Sequence, residues 1–265
     1  MKRVAIIGCS HSDYSLRPHN WVRFCAQDFP DLHFDVYALG GHGHIYMDIV
    51  LKDIWDTYDH YIVQLTQPTR WMLGFQGELS TPAYIRYDTD RPNISDWKFN
   101  IPRVAMLGSS QLNNQKALSE YYPDWQFHLT HKEQTHGGTW YNDVPGDDST
   151  RVILKFQNNI NPLAYHFSRA FARNLRTYGN RISYFNHGTR HLNQRMAKVD
   201  HWKDSDGNTN NINQSLDVFT HLETNHYDDF LSYIDETNHL NLAGSECLWN
   251  SYLLPSTLGE RLKKL

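Results

Sequence analysis

Arg3-Val4-Ala5-Ile6-Ile7-Gly8-Cys9-Ser10-His11-Ser12 decides how the rest of the chain is read. Four consecutive apolar residues, Val4 to Ile7, suit a strand buried on both faces, and Gly8 ends the run. Ser10 follows two residues later. A hydroxyl placed there lies at the carboxyl end of a central strand, where open α/β sheets hold their ligand crevices.

Outward from that strand, helical and extended patterns alternate. Asn20 to Phe29 puts Trp21, Phe24, Cys25 and Phe29 on one face of a helix that Pro30 ends. Phe34 to Leu39 reads as a second strand, stopped by Gly40-Gly41-His42-Gly43. His44 to Tyr58 returns to helical spacing, and Tyr61 to Leu65 is a third strand. This order argues for right-handed βαβ units and a parallel sheet. Regularity lapses over 72–150, which is rich in Gly, Asn, Asp, Thr, Trp and Tyr, with Gln111 to Tyr122 as a short possible helix. A structureless loop of that length is foreign to a compact domain, so an inserted lid or subdomain over the strand ends is expected. Its aromatic residues suit either a sugar or acyl pocket or the packing of the insert itself. Order resumes with a helix over Asn161 to Tyr178, a fourth strand over Arg181 to Phe185, and a closing helix over Leu242 to Leu253. The expected fold class is α/β: a single domain over 1–265, a three-layer αβα sandwich with a mainly parallel central sheet and the irregular insert.

Bulk properties narrow the function classes. The chain of 265 residues carries a net charge of −4 and a pI near 6.4. It lacks the Lys/Arg excess of a nucleic-acid binder. Cys9, Cys25 and Cys247 are widely spaced and form no C-x-x-C, so neither a zinc ribbon nor a disulfide framework is expected. No apolar stretch approaches the length of a membrane span, and the N-terminus lacks the apolar region of a signal peptide. A cytoplasmic protein without membrane or nucleic-acid partners is expected. Among sixteen histidines, His42 and His44, and His128, His131 and His136, form the dense groups. Neither group matches a structured ligand spacing, and no metal is expected.

Near the far end lies Asp235-Glu236-Thr237-Asn238-His239-Leu240-Asn241, an acid–histidine segment just before the closing helix. Together with Gly8-Cys9-Ser10 and Gly40-Gly41-His42-Gly43, in that order, it resembles the blocks of the SGNH (GDSL-type) hydrolase family. The resemblance implies an SGNH/flavodoxin-like fold and a serine esterase that needs no cofactor. Its substrate would be a small-molecule or glycan ester, such as an O-acetyl group. Ser10 would be the nucleophile, made reactive by a neighbouring base. His239 would be that base, oriented by an acid as in other serine hydrolases. Glu236 stands at the family spacing, three residues before the histidine, whereas Asp235 is the usual residue type.

Oxyanion donors follow from the same resemblance: the Ser10 amide, and an amide from Gly41 with Gly43 as substitute. The Gly-x-Asn block that follows the family's third strand is absent, so Thr66 or Gln67 takes the asparagine's place or the donor is missing. Arg70 would hold an anionic group of a substrate, or is a solvated surface arginine. Cys9 stands where the family has aspartate, and the strand pleat points it away from Ser10, into the core. Two other functions suit the same residues: a non-hydrolytic SGNH-like binding protein, and an acyl or sulfuryl transferase on this scaffold.

Overall fold

The computed structural model describes residues 1–40, 42–66, 71–73, 83–85, 91–98, 105–107, 167–168, 170–186, 230–235 and 239–265. Its centre is strand β1 (Lys2–Gly8), buried from Val4 onward. Helix α1 (Trp21–Asp28) follows, then β2 (Leu32–Ala38), α2 (His44–Asp53) and β3 (His60–Leu65). Short strands come next: β4 (Trp71–Leu73), β5 (Ala83–Ile85), β6 (Ile94–Lys98) and β7 (Ala105–Leu107). After helical turns over 170–175, β8 (Ile182–Asn186) completes the sheet. The chain closes with α3 (Leu242–Leu248), a π turn over Trp249–Leu253, and α4 (Thr257–Leu262).

The main sheet runs β5-β6-β2-β1-β3-β8. Five of its strands, β6, β2, β1, β3 and β8, are mutually parallel, and β5 pairs antiparallel with β6 at one edge. The protein is therefore an α/β sandwich. The run β2-β1-β3-β8 places successive strands on opposite sides of β1, as in a flavodoxin-like sheet. Its topological switch point lies between β1 and β3. Strands β5 and β6 belong to the 72–150 stretch, and they extend the sheet beyond β2. Most of that stretch, with Gln111 to Tyr122, lies outside the described residues.

Alternate residues of β1 serve the two faces. Val4 and Ile6 join Trp21, Val22, Cys25, Trp249, Leu253 and Leu258 in one core cluster, covered by α1, α3 and α4. Ala5, Ile7 and Cys9 join Tyr46, Met47, Val50 and Leu51 of α2 and Phe171, Ala172 and Leu175 in the other. Large side chains buried this fully contribute about 1.5–3 kcal/mol each relative to exposure. Trp21 anchors the first face: it stacks on Trp249 at 6.3 Å and meets Phe185 edge-on at 5.3 Å.

Some elements differ from the sequence reading. Helix α2 ends at Asp53 rather than near Tyr58, because Ile54 caps it and Asp56 turns the chain back with φ 72°. Aspartate is among the few residues that tolerate that left-handed conformation. The closing helix widens into a π turn after Leu248, and a further helix, α4, follows it. Cys9, Cys25 and Cys247 are free thiols. Among the described residues no helix is long and apolar enough to cross a membrane.

His60 opens β3 fully buried, with Nε2 3.0 Å from Ser183 Oγ. Burial, and secondarily Arg261, push its pKa down to about 4, against 6.5 for a free histidine. Its contribution to stability is therefore fully present above pH 6.5 and is lost as the pH falls through about 4. That loss amounts to about 3 kcal/mol. Urea denaturation between pH 7 and pH 4 should show it, and His60→Gln should reduce the pH dependence by that amount. An identical pH dependence in the variant would contradict the assignment.

Candidate active site

Strand β1 has to stop where it does because of Gly8. A methyl group there would lie 2.8 Å from Gln64 Oε1 and 3.0 Å from Ser12 Cβ. This close approach lets the next residues wind into a turn, in which the Cys9 carbonyl accepts the Ser12 and Asp13 amides at 2.9 and 3.0 Å. Gln64, buried in β3, holds the turn from below. Its Oε1 accepts the Cys9 amide at 3.2 Å and the Ser12 hydroxyl at 3.0 Å, while Nε2 donates to the Leu65 carbonyl. Ser12 Oγ in turn accepts from Trp21 Nε1 at 3.0 Å, tying the turn to the core of α1.

Asp13 fastens the turn to the loop after β2. Its Oδ1 accepts the Ser15 hydroxyl and the Leu16 amide, and its Oδ2 accepts the Gly40 amide at 3.1 Å. Gly40 sits so near the site that a methyl group on it would stand 3.8 Å from Ser10 Cβ. Gly40, where the chain leaves β2, therefore flanks Ser10.

His239 arrives from a hairpin-like segment at the other end of the chain. Ile234 and Leu240 form an antiparallel bridge. The Asp235 amide donates to the His239 carbonyl at 2.8 Å, and the Asn241 amide to the Tyr233 carbonyl at 2.9 Å. Asn241 also caps α3, its Oδ1 accepting the Gly244 amide at 2.9 Å. A methyl on Gly244 would press against the Tyr233 carbonyl at 2.3 Å, so glycine lets α3 start flush against the segment. The result is that His239 Nε2 lies 2.9 Å from Ser10 Oγ, across 229 residues of chain. Ser10 is 6% exposed. A neutral imidazole with Nε2 unprotonated accepts from the hydroxyl in this geometry.

The two candidate acids fare differently. Asp235 holds the main chain: its Oδ1 accepts the His239 amide at 3.1 Å, and its Oδ2 forms an ion pair with Arg17. The Arg17–Asp235 pair thereby ties the segment bearing His239 to the loop that follows Ser10. Glu236, which has the better spacing for the His239 ring, lies outside the described residues, as do Gly41, Gln67 and Arg70.

The remaining oxyanion candidates are partly described. No described residue accepts from the Ser10 amide. Gly43 is buried as the N-cap of α2, with its carbonyl accepting the Met47 amide at 3.3 Å. At Thr66 the main-chain amide donates to His44 Nε2 at 3.0 Å, and the hydroxyl, the group that would take the asparagine's place, accepts from the Cys9 thiol at 3.5 Å. That amide is committed and not open to an oxyanion. Because His44 Nε2 accepts, its proton resides on Nδ1, which donates to Ser168 Oγ at 2.6 Å. Cys9 is fully buried against Gln64 and Thr66, on the α2 face of the sheet.

The sequence does not mark Arg17, Asp13, Gln64 or His11 as site residues. Arg17, Gln64 and His11 meet partners remote in the chain, as Asp13 does at Gly40. No group of three or more His, Cys, Asp or Glu gathers as a metal site among the described residues. Comparison of the chain with protein-family profiles, with curated proteins and with solved structures gives no match.

Gln64→Leu should strand two buried donors, the Cys9 amide and the Ser12 hydroxyl, and cost about 2–4 kcal/mol. Urea unfolding of the variant at pH 7 measures this. An unchanged midpoint would show that the turn does not depend on Gln64.

Proposed function

We propose that this chain is a serine hydrolase of SGNH type that cleaves a carboxylic ester, such as an O-acetyl group on a glycan or other small molecule. The observation that carries the reading is the 2.9 Å approach of His239 Nε2 to Ser10 Oγ at the carboxyl end of β1. Nucleophile and base within hydrogen-bond reach are what a serine hydroxyl needs, since it is inert at its free pKa. Their position beside the topological switch point is where an α/β sheet binds ligands.

The chemistry follows from those two groups. Ser10 Oγ attacks the ester carbonyl carbon as His239 Nε2 takes the hydroxyl proton. The carbonyl π electrons move onto oxygen, where the main-chain amides of Ser10 and of Gly41 or Gly43 are the candidate donors. The tetrahedral adduct collapses, the C–O bond to the alcohol breaks, and Nε2 returns the proton to the leaving oxygen. Water then attacks the acyl group on Ser10 with His239 again accepting a proton. Collapse releases the carboxylic acid and restores the Ser10 hydroxyl. Glu236 is the candidate to orient the ring, with Asp235 and Arg17 setting the path of the main chain. Three free cysteines suit a reducing compartment such as the cytoplasm.

A binding protein on the same scaffold is the second reading. The missing Gly-x-Asn block after β3 favours it, because losing one oxyanion donor costs about 10²–10³ in rate. Fluorophosphonate labelling separates the two. The wild-type protein should be labelled, and Ser10→Ala should abolish the label. A folded wild-type protein that takes no label, yet binds esters saturably without turnover, would favour the binding protein.

A further inference from the structure

The chemistry above leaves His11 unused, although its ring lies against that of the base. The His11 and His239 ring centroids are 4.4 Å apart, with planes inclined by 31°. His11 follows Ser10 directly inside the tight turn closed on the Cys9 carbonyl, and it is almost fully buried. Both rings border one small cleft, together with Arg17, Asn20 and Ser245. Two imidazolium ions in such contact repel strongly in surroundings poorer than water, so a proton on one ring opposes a proton on the other.

Charged groups among the described residues border the pair, and Glu236, in the segment that carries His239, lies outside those residues. Arg17 lines the cleft from the loop before α1, and Asp235 sits in the segment that carries His239. These two form an ion pair with each other. His19, also ahead of α1, feels both of them, and burial followed by Arg17 holds it below its ordinary value. Asp13 is engaged with Gly40 on its own side of the turn. Asn20, Trp21 and Ser245, which border the cleft from the α1 and α3 sides, are uncharged.

We propose that His11 is a positioning residue for the base, stacked on His239 as a pair that holds at most one proton near neutrality. A proton on His11 thus keeps His239 neutral, with Nε2 open to Ser10 Oγ, at lower pH than a lone imidazole allows. The proposal rests on His239 serving as the base of Ser10, but its titration can be read without turnover.

The test follows the His239 ring by NMR in full-length ¹⁵N-histidine-labelled protein, its signals identified by their loss in His239→Asn. In the wild type the pair should titrate in two steps separated by about one unit or more. In His11→Phe and in His11→Asn, His239 should titrate in one step, about one unit above the lower wild-type step. The acidic limb of kcat/KM for p-nitrophenyl acetate should move upward in the same variants by a similar amount. Identical His239 titration in the wild type and in whichever of the two variants folds would overturn the proposal. Two-step titration in a protein that never turns over the ester would support the pairing and overturn the hydrolase reading instead.

Discussion

Strand β1 is hydrogen-bonded along both edges and buried on both faces, and the rest of the molecule is arranged around where that strand must end. Its alternating residues supply both core clusters. A strand so enclosed cannot bend away gradually. It stops at Gly8, where Gln64 Oε1 approaches too closely for a side chain, and the chain breaks directly into the turn that presents Ser10. The pleat sends Cys9 to the α2 face and leaves Ser10 to the other side of the sheet, where α3 begins. The placement of Ser10 is therefore a consequence of sheet packing and not of a separate loop design.

The partner of Ser10 is held by a second, independent set of constraints. The bridge between Ile234 and Leu240, the main-chain bond from Asp235 to His239 and the Asn241 cap fix the direction in which His239 leaves its segment. Arg17 and Asp235 then join the two halves of the site. An ion pair with each side chain only partly exposed gains more from being kept together than a surface pair does, because it is less screened. Asp235, one of the two carboxylates that the sequence offers as a triad acid, thus fixes the main chain of the segment.

The parallel core was legible because its signals are local. Val4 to Ile7, Phe34 to Leu39 and Tyr61 to Leu65 are apolar runs of strand length, and Asn20 to Phe29 has an apolar face, so β1, β2, β3 and α1 lie within a few residues of where they are expected. Strand β6 was not legible. Ile94-Ser95-Asp96-Trp97-Lys98 looks like a polar segment, and two of its side chains find partners on β2, Ser95 with His33 and Trp97 with Asp35. Helix α4 is short and contains a glycine, which weakens any helical signal, yet Gly259 is needed because a methyl there would strike the Leu254 carbonyl at 2.0 Å. At the site, the order of serine and histidine blocks led to Ser10 and His239. The Arg17–Asp235 pair spans 218 residues and the His11–His239 stack joins opposite ends of the chain, so neither leaves a trace in local spacing.

The most direct measurement is to trap the acyl group. The protein is mixed with p-nitrophenyl acetate, quenched in acid within the first turnovers and mapped by peptide mass spectrometry. The Ser10–His239 pairing predicts an acetyl group on Ser10 that is absent from His239→Ala. A folded protein that hydrolyses the ester with no acetyl on Ser10, or that is acetylated there equally well without His239, would contradict it.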